Sequence, residues 1–281
     1  MNNEKTARKD DLGDRMKKYE EVTRYHLLPR SYVFCRIDGR SFHSYLRGCK
    51  RPFDADVIAD MNATAVYLCE NVQNAKLGYV QSDEITLLLC DFDTYDTSQF
   101  FDGNIQKISS VVASMAAAKF NQCRAQRFIE KKSMNLLGGE FPLASFDCRC
   151  WVVPNRWEAA NVFIWRNQDC SRNSVSMVAQ ANFSHKELQG VSIAGMHEML
   201  HEKGINWATA FSDGEKNGRL IVKENYLSEL TLPRNTDGKI HVDAIITHEG
   251  VGAMRSRWVS KGAWKFTDDK DKLLNMIPKY E

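Results

Sequence analysis

The chain has 281 residues, 43% of them hydrophobic and 26% charged, and a formal net charge of +2. That length allows one large domain or two small ones with a sizeable core. The near balance of charge excludes a binder that holds nucleic acid by bulk positive charge, so any basic footprint has to be local. No stretch approaches the roughly twenty apolar residues of a membrane span. The polar segment from Met1 to Asp14 has no apolar core of a signal peptide. The expectation is a soluble, cytoplasmic protein with no membrane partner. Eight cysteines, Cys35, Cys49, Cys69, Cys90, Cys123, Cys148, Cys150 and Cys170, fall mostly inside predicted elements, with no zinc-type pair of Cys-x-x-Cys units. They read as reduced core thiols. Cys148 and Cys150 share one strand face, which reads as packing.

In chain order, the first ten residues carry no pattern. Asp11 to Leu28 reads as a helix with Leu12, Met16, Tyr19 and Val22 as its apolar stripe and Pro29 as its stop. Tyr32 to Asp38 is a strand that runs straight into Gly39. The long loop from Arg40 to Phe53 holds His43, Arg47, Lys50 and Arg51, cations suited to phosphate. Asp54 caps a helix buried through Val57, Met61, Ala65, Leu68 and Val72. Strands at Tyr79–Gln81 and Ile85–Cys90 flank a tight Ser82-Asp83-Glu84 turn. A helix from about Gly103 to Cys123 and a strand from Phe146 to Pro154 follow.

That order is β-α-β-β-α-β, an α+β fold of the ferredoxin-like kind, as in polymerase and nucleotide-cyclase palms. We expect residues 1–154 to hold the N-terminal helix and this palm. Residues 155–281 then form a C-terminal α+β portion packed upon it. In that portion Arg156 to Ser184 reads as helix in two pieces, and Ile193 to Lys203 as a helix ended by Gly204. Arg219–Lys223 and Lys239–Ile246 read as strands, and Trp258 to Phe266 as a basic, aromatic stretch. His185, His197 and His201 do not match the zincin motif and read as surface or structural.

The chemistry points to Asp38 and Asp83. Each stands at a strand end, one before a glycine and one in a two-strand turn, so one sheet can bring both together. Hard oxygen ligands on rigid strand ends suit Mg²⁺, which shares its shell with phosphate oxygens. Two such ions about 3.5–4 Å apart form the clamp for in-line phosphoryl transfer. An RNA-binding module on the same sheet would show stacking aromatics and no acid pair.

Arg36-x-Asp38-Gly39-Arg40-x-Phe42-His43, then Arg51-Pro52-x-Asp54, then Gln81-Ser82-Asp83-Glu84 resembles the tRNA-histidine guanylyltransferase superfamily of reverse polymerases. The resemblance continues through Lys107, Phe146-Asp147-x-Arg149 and Trp165-Arg166-x-Gln168-Asp169-Cys170, and covers most of residues 11–210. It implies that Asp38, Asp83 and the carbonyl of Gly39 bind two Mg²⁺ ions, with Glu84 as a further acid of the catalytic set. It implies a nucleotide site made of Asp38, Gly39, Arg40, Ser41, Phe42, His43, Arg51, Ser82, Asp83 and Lys107. Arg51 stands where many members have lysine. The implied partners are the 5′ end of a tRNA, GTP and other nucleoside triphosphates, ATP for 5′ activation, and further copies of the chain, as a tetramer.

One departure matters. Members dedicated to histidine tRNA carry His-Ile-Asn-Asn-Leu-Tyr-Asn after Asp-Cys. Here Asp169-Cys170 is followed by Ser171-Arg172-Asn173-Ser174-Val175. That favours the guanylyltransferase-like branch, whose members repair truncated 5′ ends against a template strand. The alternatives are a dedicated tRNA-histidine guanylyltransferase, or a nucleotide cyclase that needs no RNA.

Overall fold

The computed structural model describes residues 10–130, 142–229, 244–247 and 250–280. The elements run α1 (Asp11–Glu21), β1 (Tyr32–Gly39), α2 (Phe42–Tyr45), α3 (Ala55–Asn71), β2 (Ala75–Gln81), β3 (Glu84–Cys90), α4 (Ile105–Glu130), β4 (Phe146–Val153) and α5 (Arg156–Asn182). The remainder is α6 (His185–Leu188), α7 (Ile193–Glu202), α8 (Trp207–Ala210), α9 (Asp213–Asn217), β5 (Arg219–Glu229), β6 (Ala244–Thr247), β7 (Gly250–Gly262) and α10 (Lys270–Met276). The strands form one sheet in the order β4-β1-β3-β2-β5-β7-β6, and all its pairings are antiparallel. The β-α-β-β-α-β order expected of the first half is present, and its four strands lie 4-1-3-2.

Alternation along β1 sorts its side chains between two cores. Val33, Cys35 and Ile37 face α3 and α4, where Met61, Leu68, Val112 and Phe120 cover them. Tyr32 and Phe34 face the other way, onto Phe163 of α5 and Leu273 and Ile277 at the C-terminus. β3 is buried along its whole length. That is why Ile85 to Cys90 is an unbroken apolar run rather than an alternating one.

Tertiary contacts moved several boundaries. α1 ends at Glu21 rather than near Leu28. The following backbone is recruited elsewhere: Leu27 N–H donates to Gly103 O, and Tyr25 O accepts from Ile105 N–H. The apolar residues at helical spacing are exposed, Leu12, Met16 and Tyr19 on α1 and Val22 just after it. Arg156–Asn182 is one continuous helix, not two. Its polar middle, which reads as a break, is buried against partners: Asn167 donates to Asn217 O and Trp264 O, and its side-chain oxygen accepts from Phe266 N–H. The aromatic stretch from Trp258 ends β7, a 13-residue strand. Of the strand expected at Lys239–Ile246, residues 239–243 lie outside the described residues; Ala244–Thr247 is a strand. β5 pairs with β2, so the sheet runs across the expected boundary between residues 154 and 155.

Candidate active site

The acids meet where β1 ends and β2 turns into β3. In register, Asp38 lies opposite Glu84 on one side and Asp147 of β4 on the other. Gly39 N–H donates to Asp83 O at 3.2 Å, tying the end of β1 to the turn. Gly39 does not use a left-handed backbone. It is required because the Phe42 ring lies against it: an added Cβ would sit 2.3 Å from Phe42 Cδ2. Phe42 itself is buried among Tyr45, Phe120 and Phe146. Its ring forms the floor under the turn, so its contribution to a nucleotide site is structural. Ser41 and Ser82 both take positive φ, 55° and 45°, values uncommon for non-glycine residues and found where a chain is held for a purpose.

The two neighbouring carboxylates of the turn have opposite situations. Asp83 is pushed above the usual carboxylate range, first by burial; the charges of Asp38 and Glu84 add to this, and a hydrogen bond from Ser82 opposes it. Among the described residues no lysine or arginine pairs with Asp38 or Asp83. Glu84 is already committed. Arg166 Nε and Nη2 each donate to one of its oxygens at 2.7 Å, and Gln81 Nε2 donates to Oε1 at 3.1 Å. The Glu84 and Arg166 side chains are only 9% and 8% exposed. Arg166 also reaches Asp169 at 2.9 Å and lies over the Trp165 ring. Glu84 therefore anchors α5 to the end of the sheet, and its oxygens have little capacity left for a cation.

Two cavities meet at the turn. One, of about 390 Å³, is bounded by Asp38, Asp83, Arg166, Asn173, Ser176 and Gln180. The other, of about 420 Å³, is bounded by His43, Lys50, Arg51, Ser82 and Asp83, with Asn173, Ser174 and Met177 of α5 as its far wall. Gln81 to Asp83 form the ridge between them. Asp54 ties the backbone of the cationic loop to α3: its Oδ2 accepts from Lys50 backbone N–H while Oδ1 caps the helix. Arg40 is exposed and lines neither cavity; its backbone N–H donates to Ser145 O. A third cavity, of about 750 Å³, lies at the opposite end of the sheet beside Tyr32, Trp157 and Tyr280, with no side-chain carboxylate among the described residues of its wall.

Lys107 does not join the site. Its ammonium lies over the Phe101 ring near the start of α4. The part of α4 beneath the site is at Phe120, which touches Phe42, about 20 Å further along the helix. Sequence reasoning missed the α5 wall of Asn173, Ser174 and Met177. The signal was present: this is the stretch where the chain departs from the His-Ile-Asn-Asn-Leu-Tyr-Asn block.

Residues 13–154 match the sequence profile of the family described as Thg1, tRNAHis guanylyltransferase. A bacterial tRNA(His) guanylyltransferase (Thg1)-like protein solved with ATP superposes with a TM-score of 0.77 and 38% identity, over 95% of this chain and 99% of that one. A structure of such a protein with GTP gives 0.73 and 37%, with the same coverage. The tRNA(His) guanylyltransferase of Schizosaccharomyces pombe is 28% identical over 205 residues, 68% of this chain and 73% of its own length. A profile match over half of the chain, and a relative 38% identical over nearly the whole of both chains, show that this chain belongs to the Thg1 family of nucleotidyltransferases.

Proposed function

We propose that the chain is a Mg²⁺-dependent 3′-to-5′ nucleotidyltransferase that repairs tRNA 5′ ends against a template strand. The observation that carries this reading is the pair of cation-free carboxylates, Asp83 on the ridge between two cavities and Asp38 in the wall of one of them. One cavity has room for a nucleoside triphosphate and the other for the end it joins. ATP and GTP complexes of bacterial relatives support GTP as the added nucleotide and ATP as the activator of a 5′-monophosphate.

The residues present fit a divalent metal. Asp83 is held near a second acid with its charge uncompensated, and a cation supplies that compensation. Asp38, the Gly39 carbonyl and Asp83 would hold two Mg²⁺ ions. Bound there, Mg²⁺ lowers the pKa of an attacking hydroxyl and neutralises charge on departing phosphates. His43, Lys50 and Arg51 orient the polyphosphate, with Arg51 offering a bidentate fork. Ser82 orients Asp83. In the reaction the 3′ oxygen of the incoming nucleotide bonds to the 5′ phosphorus of the tRNA. The bond from that phosphorus to pyrophosphate, or to AMP after activation, breaks, and the hydroxyl proton passes to solvent.

Support for template-directed repair comes from the α5 wall. Asn173 and Ser174 line the cavity in the segment that lacks the block of dedicated enzymes. With that block gone, pairing with the opposing acceptor strand selects the nucleotide. A mispaired base displaces the reacting hydroxyl, and a shift of about 1 Å costs roughly 10²-fold in rate. A tRNA lacking its first 5′ nucleotide will accept GTP opposite C and UTP opposite A, about 10²-fold faster than the mispaired combinations. Equal rates of GTP addition opposite C and A, in single-turnover assays with labelled nucleotide, would return the reading to a dedicated guanylyltransferase.

The same reading includes a homo-oligomer, a tetramer by analogy with the family. The apolar residues left exposed on and just after α1, Leu12, Met16, Tyr19 and Val22, support it. Light scattering at micromolar concentration is expected to give a multiple of the chain mass; a monomer there would remove oligomerisation from the proposal.

A further inference from the structure

Behind the strand that carries Asp38 lies a second convergence of ligand atoms. Cys35 of β1 and Cys150 of β4 stand directly opposite each other in the antiparallel register, and Cys148 is two residues along β4 on the same face. All three point beneath α4, where Ser109 Oγ lies 3.4 Å from Cys150 Sγ. Cys35 Sγ is 3.5 Å from Cys150 Sγ, which is 3.8 Å from Cys148 Sγ, and all three sulfurs lie within 4.8 Å of one another. Cys35 is fully buried, while Cys148 and Cys150 are half-buried because β4 is the edge of the sheet. An ion therefore has a short way in. Among the described residues this is the one group of three or more histidine, cysteine or acidic side chains whose ligand atoms converge.

The spacing is that of a chelating set. Three sulfurs bound to one Zn²⁺ at about 2.3 Å in a tetrahedral arrangement lie about 3.8 Å apart. We propose that Cys35, Cys148 and Cys150 form a three-thiolate site for a soft divalent cation, Zn²⁺ in the first instance, separate from the Mg²⁺ and nucleotide site. An all-sulfur donor set selects soft ions and rejects Mg²⁺. The fourth position lies open to water or the Ser109 hydroxyl.

The protonation pattern agrees with the geometry. Hydrogen bonds from the Cys148 and Cys35 thiols hold Cys150 below the ordinary thiol range, while Cys35 and Cys148 are held above it. Metal takes these groups as thiolates, so binding releases protons and tightens as pH rises. The ion would clasp edge strand β4 to β1, three residues before Asp38.

The test uses the full chain, reduced and freed of metal, with Cd²⁺ as a spectroscopic stand-in for Zn²⁺ in the presence of excess Mg²⁺. Thiolate-to-metal charge-transfer absorption should saturate at one equivalent per chain, with release of protons and a higher melting temperature. Losing a residue that merely supports a metal ligand costs about 10–100-fold in affinity, so Cys148→Ser or Cys150→Ser should cost on the order of 10²-fold or more. Cys123→Ser should change nothing. Alkylation mapped by mass spectrometry on the unsubstituted chain gives a reading that does not depend on a variant folding: metal should protect Cys148 and Cys150 and leave Cys49 and Cys123 reactive. No band at one equivalent, a band kept in both serine variants, or protection that does not single out these two cysteines would each overturn the proposal.

Discussion

Asp38→Ala and Asp83→Asn will each abolish nucleotide addition, by on the order of 10³-fold or more, while the fold persists. Each removes an oxygen donor from the wall of the cavity that Asp38 and Asp83 share, where charge has to be neutralised during phosphoryl transfer. Asp83→Asn has a second signature, because burial raises Asp83 in the folded chain. Between the ordinary carboxylate value and that raised value, the folded state binds more protons than the unfolded state. Without metal, stability therefore falls as pH rises through this window, and the ionised carboxylate is a net cost above it. Asn carries no such charge. The metal-free variant should melt at the same temperature as the parent or higher, and should lose that pH dependence. Mg²⁺ should raise the melting temperature of the parent above the window and leave the variant unmoved. Activity assays beside melting curves with and without Mg²⁺ check this. A folded variant with near-normal activity would dismiss Asp83 as a metal ligand.

Glu84→Ala will act through stability rather than through the metal. It leaves the guanidinium of Arg166, 8% exposed, without its bidentate partner. The lost charge-assisted hydrogen bonds are worth about 1.5–3 kcal/mol each, partly offset because Asp169 still faces Arg166 at 2.9 Å, so the loss is on the order of 10 °C in melting temperature for a chain of this size. Arg166→Met in the same chain should recover much of the loss, since removing both charges is far milder than removing one. The activity of the double variant, measured below its melting temperature, separates the two roles. If Glu84 positions the sheet end through Arg166, the metal dependence of the remaining activity stays at the parent's Mg²⁺ concentration. If Glu84 were a direct ligand, that dependence would shift to much higher Mg²⁺ while Glu84→Ala alone left stability nearly intact.

The meeting of the two acids at one end of the sheet was legible because it depends on local context. An apolar strand running into Asp38-Gly39, and a two-strand turn at Ser82-Asp83, can be read from a few neighbouring residues. The cap at Asp54 was legible for the same reason. Glu84 looks like a third member of the acid set from sequence alone. Its partner Arg166 lies 82 positions away, and no periodicity or spacing rule links the two. The meaning of Gly39 shifted likewise: the sequence suggests a free turn, whereas the Phe42 ring pressed against its backbone is what demands glycine.

By itself, then, the sequence determined the order of strands and helices through residue 154, the two carboxylates, the cationic loop and the family. All of these follow from hydrogen-bonding periodicity and from residue types a few positions apart. The tertiary structure alone decided which charges stay free. It neutralised Glu84 with Arg166, set Lys107 over the Phe101 ring about 20 Å along α4 from Phe120, and brought the wall of Asn173 and Ser174 over the ridge. It also left the α1 stripe exposed and drew Cys35, Cys148 and Cys150 together. The physical reason is common to all of these. A side chain's charge state and exposure depend on what is packed against it, and in a sheet of order β4-β1-β3-β2-β5-β7-β6 those neighbours come from strands and helices far apart along the chain.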